Sequence, residues 1–149
     1  MLQADHTNGL VVVAPIRPDL VTLDLDGCAS VVRSELLHAA EQVGASLVYL
    51  AASGSVDSEH AVFGCPSAQA RARLVDLVEQ VRLWAGVSAR QLDHRQGVGG
   101  ALRLPGSASL KDAAAQSVPI GLDGRRLSAR SAARRALDAL AAVGLPTDY

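Results

Sequence analysis

The stretch Val21-Thr22-Leu23-Asp24-Leu25-Asp26-Gly27 constrains the chain most. It alternates between apolar and polar side chains, the pattern of an extended strand with one face turned to a core. Val21, Leu23 and Leu25 then point one way and Thr22, Asp24 and Asp26 the other. At strand rise the Cα atoms of the two acids stand ~6.8 Å apart, so both carboxylates can reach one divalent cation or two neighbouring ones. Ionised acids inside a sheet are costly unless something cationic neutralises them. Alone, the stretch leaves open a metal or catalytic site and, equally, a solvated sheet face.

The segments around it suggest how that strand is housed. Leu10 to Ile16 is a short β-branched run closed by Arg17-Pro18, which could form a hairpin with the acidic strand. Ser30 stands as a potential N-cap ahead of Val31, Val32, Leu36, Leu37, Ala40 and Val43 at helical spacing, with Gly44 as the natural stop. Ser46 to Ala52 reads as a buried strand, followed by the polar loop Ser53 to Glu59 and a second apolar run led by His60. Pro66-Ser67 opens a helix whose period continues to Gly86. Short strands are expected at Ala89–Asp93, Ala101–Leu104 and Val118–Leu122, a loop or short helix between Ser107 and Ser117, and a final helix from Ala129 to Val143 capped by Ser128. Most strand pairs are joined by loops too short for a parallel crossover, so we expect an α+β fold with a mixed or antiparallel sheet and flanking helices.

With 149 residues the chain suits one compact domain, with frayed ends at residues 1–9 and 144–149. A formal charge of −1, from 14 basic and 15 acidic residues, announces no general nucleic-acid or membrane binder. Lys111 is the only lysine; the other basic residues are arginines, several in the last third, so any basic surface is local and made of groups that suit bidentate phosphate contacts. Aromatics make up 3% of the chain, so gripping a single strand by base stacking would be poor. Cys28 and Cys65 are too few for a disulfide framework and form no CxxC pair. The polar start, Met1 to Gly9, lacks a signal-peptide pattern, and no apolar run approaches the ~18 residues of a membrane span. These features give the expectation of a cytoplasmic protein with no membrane partner.

Further polar residues fall at strand ends and loop lips: Ser58-Glu59-His60 behind Ser53-Gly54-Ser55, Leu92-Asp93, and Arg103-Leu104-Pro105-Gly106-Ser107 with Lys111. Together with Leu23-Asp24-Leu25-Asp26, this ordered set resembles the archaeo-eukaryotic primase superfamily, in particular the bifunctional primase-polymerases of plasmids, phages and integrated elements. That family carries an acidic D-x-D on a hydrophobic strand, then S-x-H after a small-residue loop, then a hydrophobic residue with a third Asp, and in the mobile-element branch R-x-P-G-S with a basic residue. The resemblance spans residues 10 to 125. It implies an RRM-like catalytic core and a DNA primase/polymerase that adds nucleotides to a 3′-hydroxyl by a two-metal mechanism. Asp24, Asp26 and Asp93 would be catalytic and hold two divalent ions, Mg²⁺ or Mn²⁺. Ser58, His60, Arg103, Ser107 and Lys111 would bind the incoming nucleoside triphosphate. A DNA template and primer, and a separate helicase or initiator, are the implied partners.

Two other readings compete. Asp24-Leu25-Asp26-Gly27 also resembles the nucleophile motif of haloacid dehalogenase-like phosphatases, in which Asp24 would be phosphorylated and Asp26 would serve as general acid and base. That family needs a further acidic pair, which Asp93-His94-Arg95 does not supply, and a parallel doubly wound sheet. The second is a non-catalytic primase-like subunit that binds nucleotide or a replication partner, favoured by small size and weak basicity.

Overall fold

The computed structural model describes residues 13–15, 19–95, 101–103 and 117–147. The elements in chain order are β1 (Val13–Pro15), β2 (Leu20–Leu25), α1 (Ala29–Gln42), β3 (Ser46–Ala52), β4 (Glu59–Gly64), α2 (Ala68–Ala85), β5 (Leu92–Arg95), β6 (Ala101–Arg103), β7 (Val118–Pro119) and α3 (Ala129–Ala142). Five strands form one sheet in the order β5-β2-β4-β3-β7, antiparallel at every pairing. The fold is α+β, as the loop lengths led us to expect.

Strands β2 and β3 both run antiparallel to β4, so they are parallel to each other and need a crossover, which α1 provides. The same logic makes α2 the crossover between β4 and β5, both antiparallel to β2. These two helices cover one face of the sheet. There Val21, Leu23 and Leu25, all fully buried, meet Ala29, Val32 and Leu36 of α1 and Leu74 and Val78 of α2. Helix α3 covers part of the opposite face, where its Ala139 and Leu140 meet Val48 and Val62. The close approach is made at Gly64, where a Cβ would lie 3.1 Å from Leu145 Cδ1 and 3.3 Å from Val48 Cγ2.

The helix boundaries follow local chemistry in two cases and long-range chemistry in one. Ser67 caps α2 by accepting the Ala70 N–H at 3.0 Å, and Gly86 ends that helix in the left-handed region. Ser128 caps α3 by accepting the Ser131 N–H at 3.1 Å. Helix α1 differs from expectation. It begins at Ala29 after Cys28, which offers no side-chain cap, and Ser30 lies inside the helix. The cap comes instead from Asp57 in the β3–β4 loop, whose carbonyl accepts the Ala29 N–H at 3.0 Å and whose Oδ1 accepts the Ser30 N–H at 2.8 Å. Its Oδ2 also accepts the Ser30 hydroxyl at 2.6 Å. Asp57 reaches this position with φ of 52°, a left-handed conformation that Asp tolerates better than most residues.

Two further expectations give way to packing. The first strand does not form a hairpin with the acidic strand; β1 pairs with β6 in a separate two-stranded sheet, Val13 opposite Arg103. Both edges of β2 are occupied, by β4 and β5, so no ladder position is left for it. The chain after α3, expected to fray from residue 144, is held at Leu145, while residues 144, 146 and 147 are exposed. The Leu145 N–H bonds the Leu140 carbonyl at 2.9 Å, and the Leu145 side chain joins the α3 cluster.

A second long-range contact ties α1 to the sheet. Glu59, 6% exposed, lies on the helix-covered side of β4 and takes a two-pronged contact from Arg33 of α1, with Arg33 Nε donating to Oε1 at 2.8 Å and Nη2 to Oε2. Arg33 Nη1 donates to the Leu122 carbonyl at 3.2 Å. The carboxylate holds the Arg33 guanidinium above its ordinary pKa. Removing one member of such a pair leaves the other buried without its charge partner. We predict that Arg33→Met lowers unfolding stability by about 2–3 kcal/mol in urea denaturation. Arg33→Met with Glu59→Leu should recover most of that loss; a double variant no better than the single one would show that the pair is not what the substitution removes.

Both cysteines are free and buried. Burial pushes both thiols up from the usual range, with Asp57 adding to the shift at Cys28 and Arg71 opposing it at Cys65. Only a thiolate alkylates readily. Native protein should therefore resist iodoacetamide near neutral pH and take up two equivalents once denatured, measured by intact mass.

Candidate functional site

Alternation along β2 puts Thr22 and Asp24 on the face away from α1 and α2, and the strand register decides what lies beside them. Asp24 is paired with His60 of β4 on one side and with Asp93 of β5 on the other. Directly opposed residues in an antiparallel pair share a face, with Cα atoms roughly 4.5–5.5 Å apart. Asp93, Asp24 and His60 thus form one row across the sheet. The row continues on β3 at Ala51 and on β7 at Pro119.

The side chains in this row are shielded but not sealed. His60 Nε2 lies 3.4 Å from Asp24 Oδ1, with the histidine side chain 12% and the aspartate 29% exposed. Carboxylates directly opposite one another on adjacent strands repel by about 0.2–1 kcal/mol unless a cation compensates. His60 is one such partner in its protonated form. The Thr22 hydroxyl and His60 Nδ1 are buried without a hydrogen bond among the described residues. Buried polar atoms of this kind ordinarily have a partner in the protein or an ordered water.

Asp26 and Ser58 meet just beyond the end of β2. Asp26 extends the ladder through its own N–H, which donates to the Gln91 carbonyl at 2.7 Å. The chain then turns at Gly27 with φ of 70°, a conformation that favours glycine, and enters α1. Ser58 Oγ accepts the Gly27 N–H at 2.9 Å and lies 3.3 Å from Asp26 Oδ1 and 3.1 Å from the Val56 carbonyl. A hydroxyl has one proton to give, so it donates to one of those oxygens at a time. Ser58, 5% exposed, thereby holds the turn that presents Asp26.

Ser58-Glu59-His60 separates into three tasks by strand alternation. Ser58 supports the turn after β2, Glu59 faces α1 and anchors Arg33, and His60 faces Asp24. The same alternation divides β5: Asp93 joins the row, while His94 falls opposite Leu23, under the helices, with its Nε2 3.9 Å from Glu79 Oε1. Five of the expected residues, Asp24, Asp26, Ser58, His60 and Asp93, are therefore assembled at one end of the sheet. Arg103 is placed in β6, opposite Val13 in the second sheet. Ser107 and Lys111 lie outside the described residues. Sequence inspection missed Asp57 and Arg33, which hold the loop and helix flanking the site. Their only signal was an acid in a small-residue loop and a lone arginine on an apolar helix.

The donor set suits a hard divalent cation in its chemistry, since carboxylate oxygens are the ligands that Mg²⁺ and Mn²⁺ prefer. Among the described residues no three His, Cys, Asp or Glu side chains stand close enough to enclose an ion. Mg²⁺ commonly uses one or two carboxylates and completes its shell with substrate phosphate and water oxygens, which the Asp24 and Asp93 pair fits. The phosphatase reading loses its frame, because a sheet that is antiparallel at every pairing is not the parallel doubly wound sheet it requires. No helix among the described residues is long and apolar enough to cross a membrane. Comparison with protein-family models, with curated proteins and with solved structures finds no match to this chain.

Proposed function

We propose that the protein is a metal-dependent nucleotidyltransferase, a primase/polymerase of the archaeo-eukaryotic type that extends a 3′-hydroxyl on a DNA template in the replication of a mobile element or phage. The observation that carries this reading is the Asp93-Asp24-His60 row with Asp26 and Ser58 at its end. The order β2-α1-β3-β4-α2-β5, with sheet positions β5-β2-β4-β3, also supports it, because this is the split βαβ arrangement of an RRM-like core.

In this reading Asp24 and Asp93 hold Mg²⁺ or Mn²⁺ with water and phosphate oxygens completing the shell, while Asp26, expected as a third ligand, lies past the strand end with Ser58. The bound ions supply charge stabilisation at the triphosphate and a lowered pKa for the attacking 3′-hydroxyl. His60 orients Asp24 through the 3.4 Å contact of Nε2, the ring nitrogen we also assign to a phosphate oxygen because Nδ1 is buried. Ser58 keeps the turn after β2 closed, so that Asp26 stays beside the row. Arg103, Ser107 and Lys111 are proposed as further phosphate contacts.

A second reading, a nucleotide- or partner-binding subunit without catalysis, is favoured by the lack of three converging donors among the described residues. One assay separates the two. Purified protein with Mn²⁺, a primed template and labelled deoxynucleotides should extend the primer, and Asp24→Asn should reduce the rate at least about a hundredfold. Nucleotide binding without extension under any divalent metal would select the binding subunit. His60→Ala should weaken nucleotide binding more than Mn²⁺ binding, as followed by calorimetry. Equal loss of both would remove His60 from the phosphate-binding role.

A further inference from the structure

Residues 125–135 contain five arginines and no acid, in a chain whose net charge is −1. A surface that only needs to be soluble ordinarily mixes signs. All five arginines are exposed. Arg125 stands 3.9 Å from Asp123, whereas the side chains of Arg126, Arg130, Arg134 and Arg135 make no hydrogen bond or ion pair among the described residues. Arg130 is also the second residue of α3, whose first turn has no acid. Cations near a helix N-terminus oppose its macrodipole, at about 0.3–1 kcal/mol each. The arrangement is thus locally unfavourable, and no side-chain hydrogen bond or ion pair among the described residues offsets it at Arg126, Arg130, Arg134 or Arg135.

Its position in the fold gives the arrangement a direction. Pro119 of β7 pairs with Ala51, which pairs with His60, which pairs with Asp24. The next residue, Ile120, bridges to Arg126, and α3 starts three residues later. From there α3 runs to the far end of the sheet, where Leu145 reaches Gly64 and Val48. The arginine-bearing half of α3 therefore lies at the same end of the sheet as the carboxylate row. At 3.6 residues per turn, Arg130 and Arg134 stand one above the other on the side of α3 opposite Ala132 and Ala139, and Arg135 lies on its flank.

We propose that this arginine tract seats the phosphate backbone of single-stranded nucleic acid, which, resting on the polymerase reading for its identity, is the template strand. Guanidinium groups pair with phosphate oxygens in bidentate fashion. Arginines on the loop at 125–126 and over the first two turns of α3 match a chain of phosphates better than one mononucleotide. Base stacking contributes little here. Trp84, the exposed aromatic of α2, belongs to the helix layer on the opposite face, so the grip is electrostatic. A strand on the outer side of α3 is separated from Asp24 by the width of a helix, about 10 Å. The tract thus acts on nucleotides away from the reacting terminus.

The test is fluorescence anisotropy of a labelled single-stranded oligonucleotide with the full chain, across a salt series. Wild-type protein should bind with a log–log salt slope near −3.5, as about five phosphate contacts would give. Arg130→Gln/Arg134→Gln/Arg135→Gln should weaken binding at least tenfold and reduce the slope by about 2. Its melting temperature should be unchanged or slightly higher, because Arg130 opposes the helix dipole and the side chains of all three are exposed. In primer extension the triple variant should raise KM for template and leave the rate at saturating template unchanged. Asp24→Asn should bind the strand as wild type does. Wild-type binding that survives the triple substitution, or binding to anionic lipid vesicles without binding to the oligonucleotide, would overturn the proposal. Arginine-dependent strand binding in a protein that never extends a primer would support it while refuting the polymerase reading. Template-limited extension unaffected by the triple variant would do the reverse.

Discussion

Strand β2 is hydrogen-bonded on both sides, and its register with β4 and β5 decides what can happen at the centre of the sheet. Slipping either pairing by one residue would turn Asp24 or its neighbours to the other face, replacing the carboxylate row with His94 or Glu59 and burying charge under the helices. The apolar half of the strand prevents that. Val21, Leu23 and Leu25 are fully buried against α1 and α2, so the register that buries them is also the one that aligns Asp93, Asp24 and His60. Core burial and site assembly are one constraint, read from opposite faces.

The loop between β3 and β4 carries a comparable double function. It delivers Ser58 to the turn after β2, Asp57 to the first turn of α1, and Glu59 to Arg33. Three consecutive polar residues are spent on holding two other elements in place. The acid at position 57, which would otherwise stand beside any bound triphosphate, has its carboxylate engaged by the Ser30 N–H and hydroxyl. The N-terminus of α1 is consequently closed to an exogenous anion.

Charge at this end of the molecule is distributed unevenly. Acidic groups cluster at the row, where a cation would be held, and arginines gather on the neighbouring α3, where a polyanion would lie. Under the proposed polymerase reading, this division would separate a metal-bound triphosphate from a strand held by its backbone. A near-zero net charge conceals it, since the two local fields cancel only in the sum.

The period of two in Val21 to Asp26, the caps Ser67 and Ser128 and the stop at Gly86 are local patterns, and local patterns survive into the fold because they depend on residues a few positions apart. The sequence by itself therefore determined the alternation along β2 and the helix limits at Ser67, Gly86 and Ser128, while the strand expected at Ala89–Asp93 falls at Leu92–Arg95 and that at Val118–Leu122 shortens to Val118–Pro119. Tertiary structure alone decided that β1 leaves β2 for β6, that Asp57 rather than Ser30 caps α1, and that Leu145 is packed. Each of these turns on competition among distant partners for a ladder edge, an orphan N–H or an apolar surface. It also decided that Asp93 stands beside Asp24 while Asp26 lies past the strand end with Ser58. Alternation fixes a side chain's face, but only register fixes its neighbour.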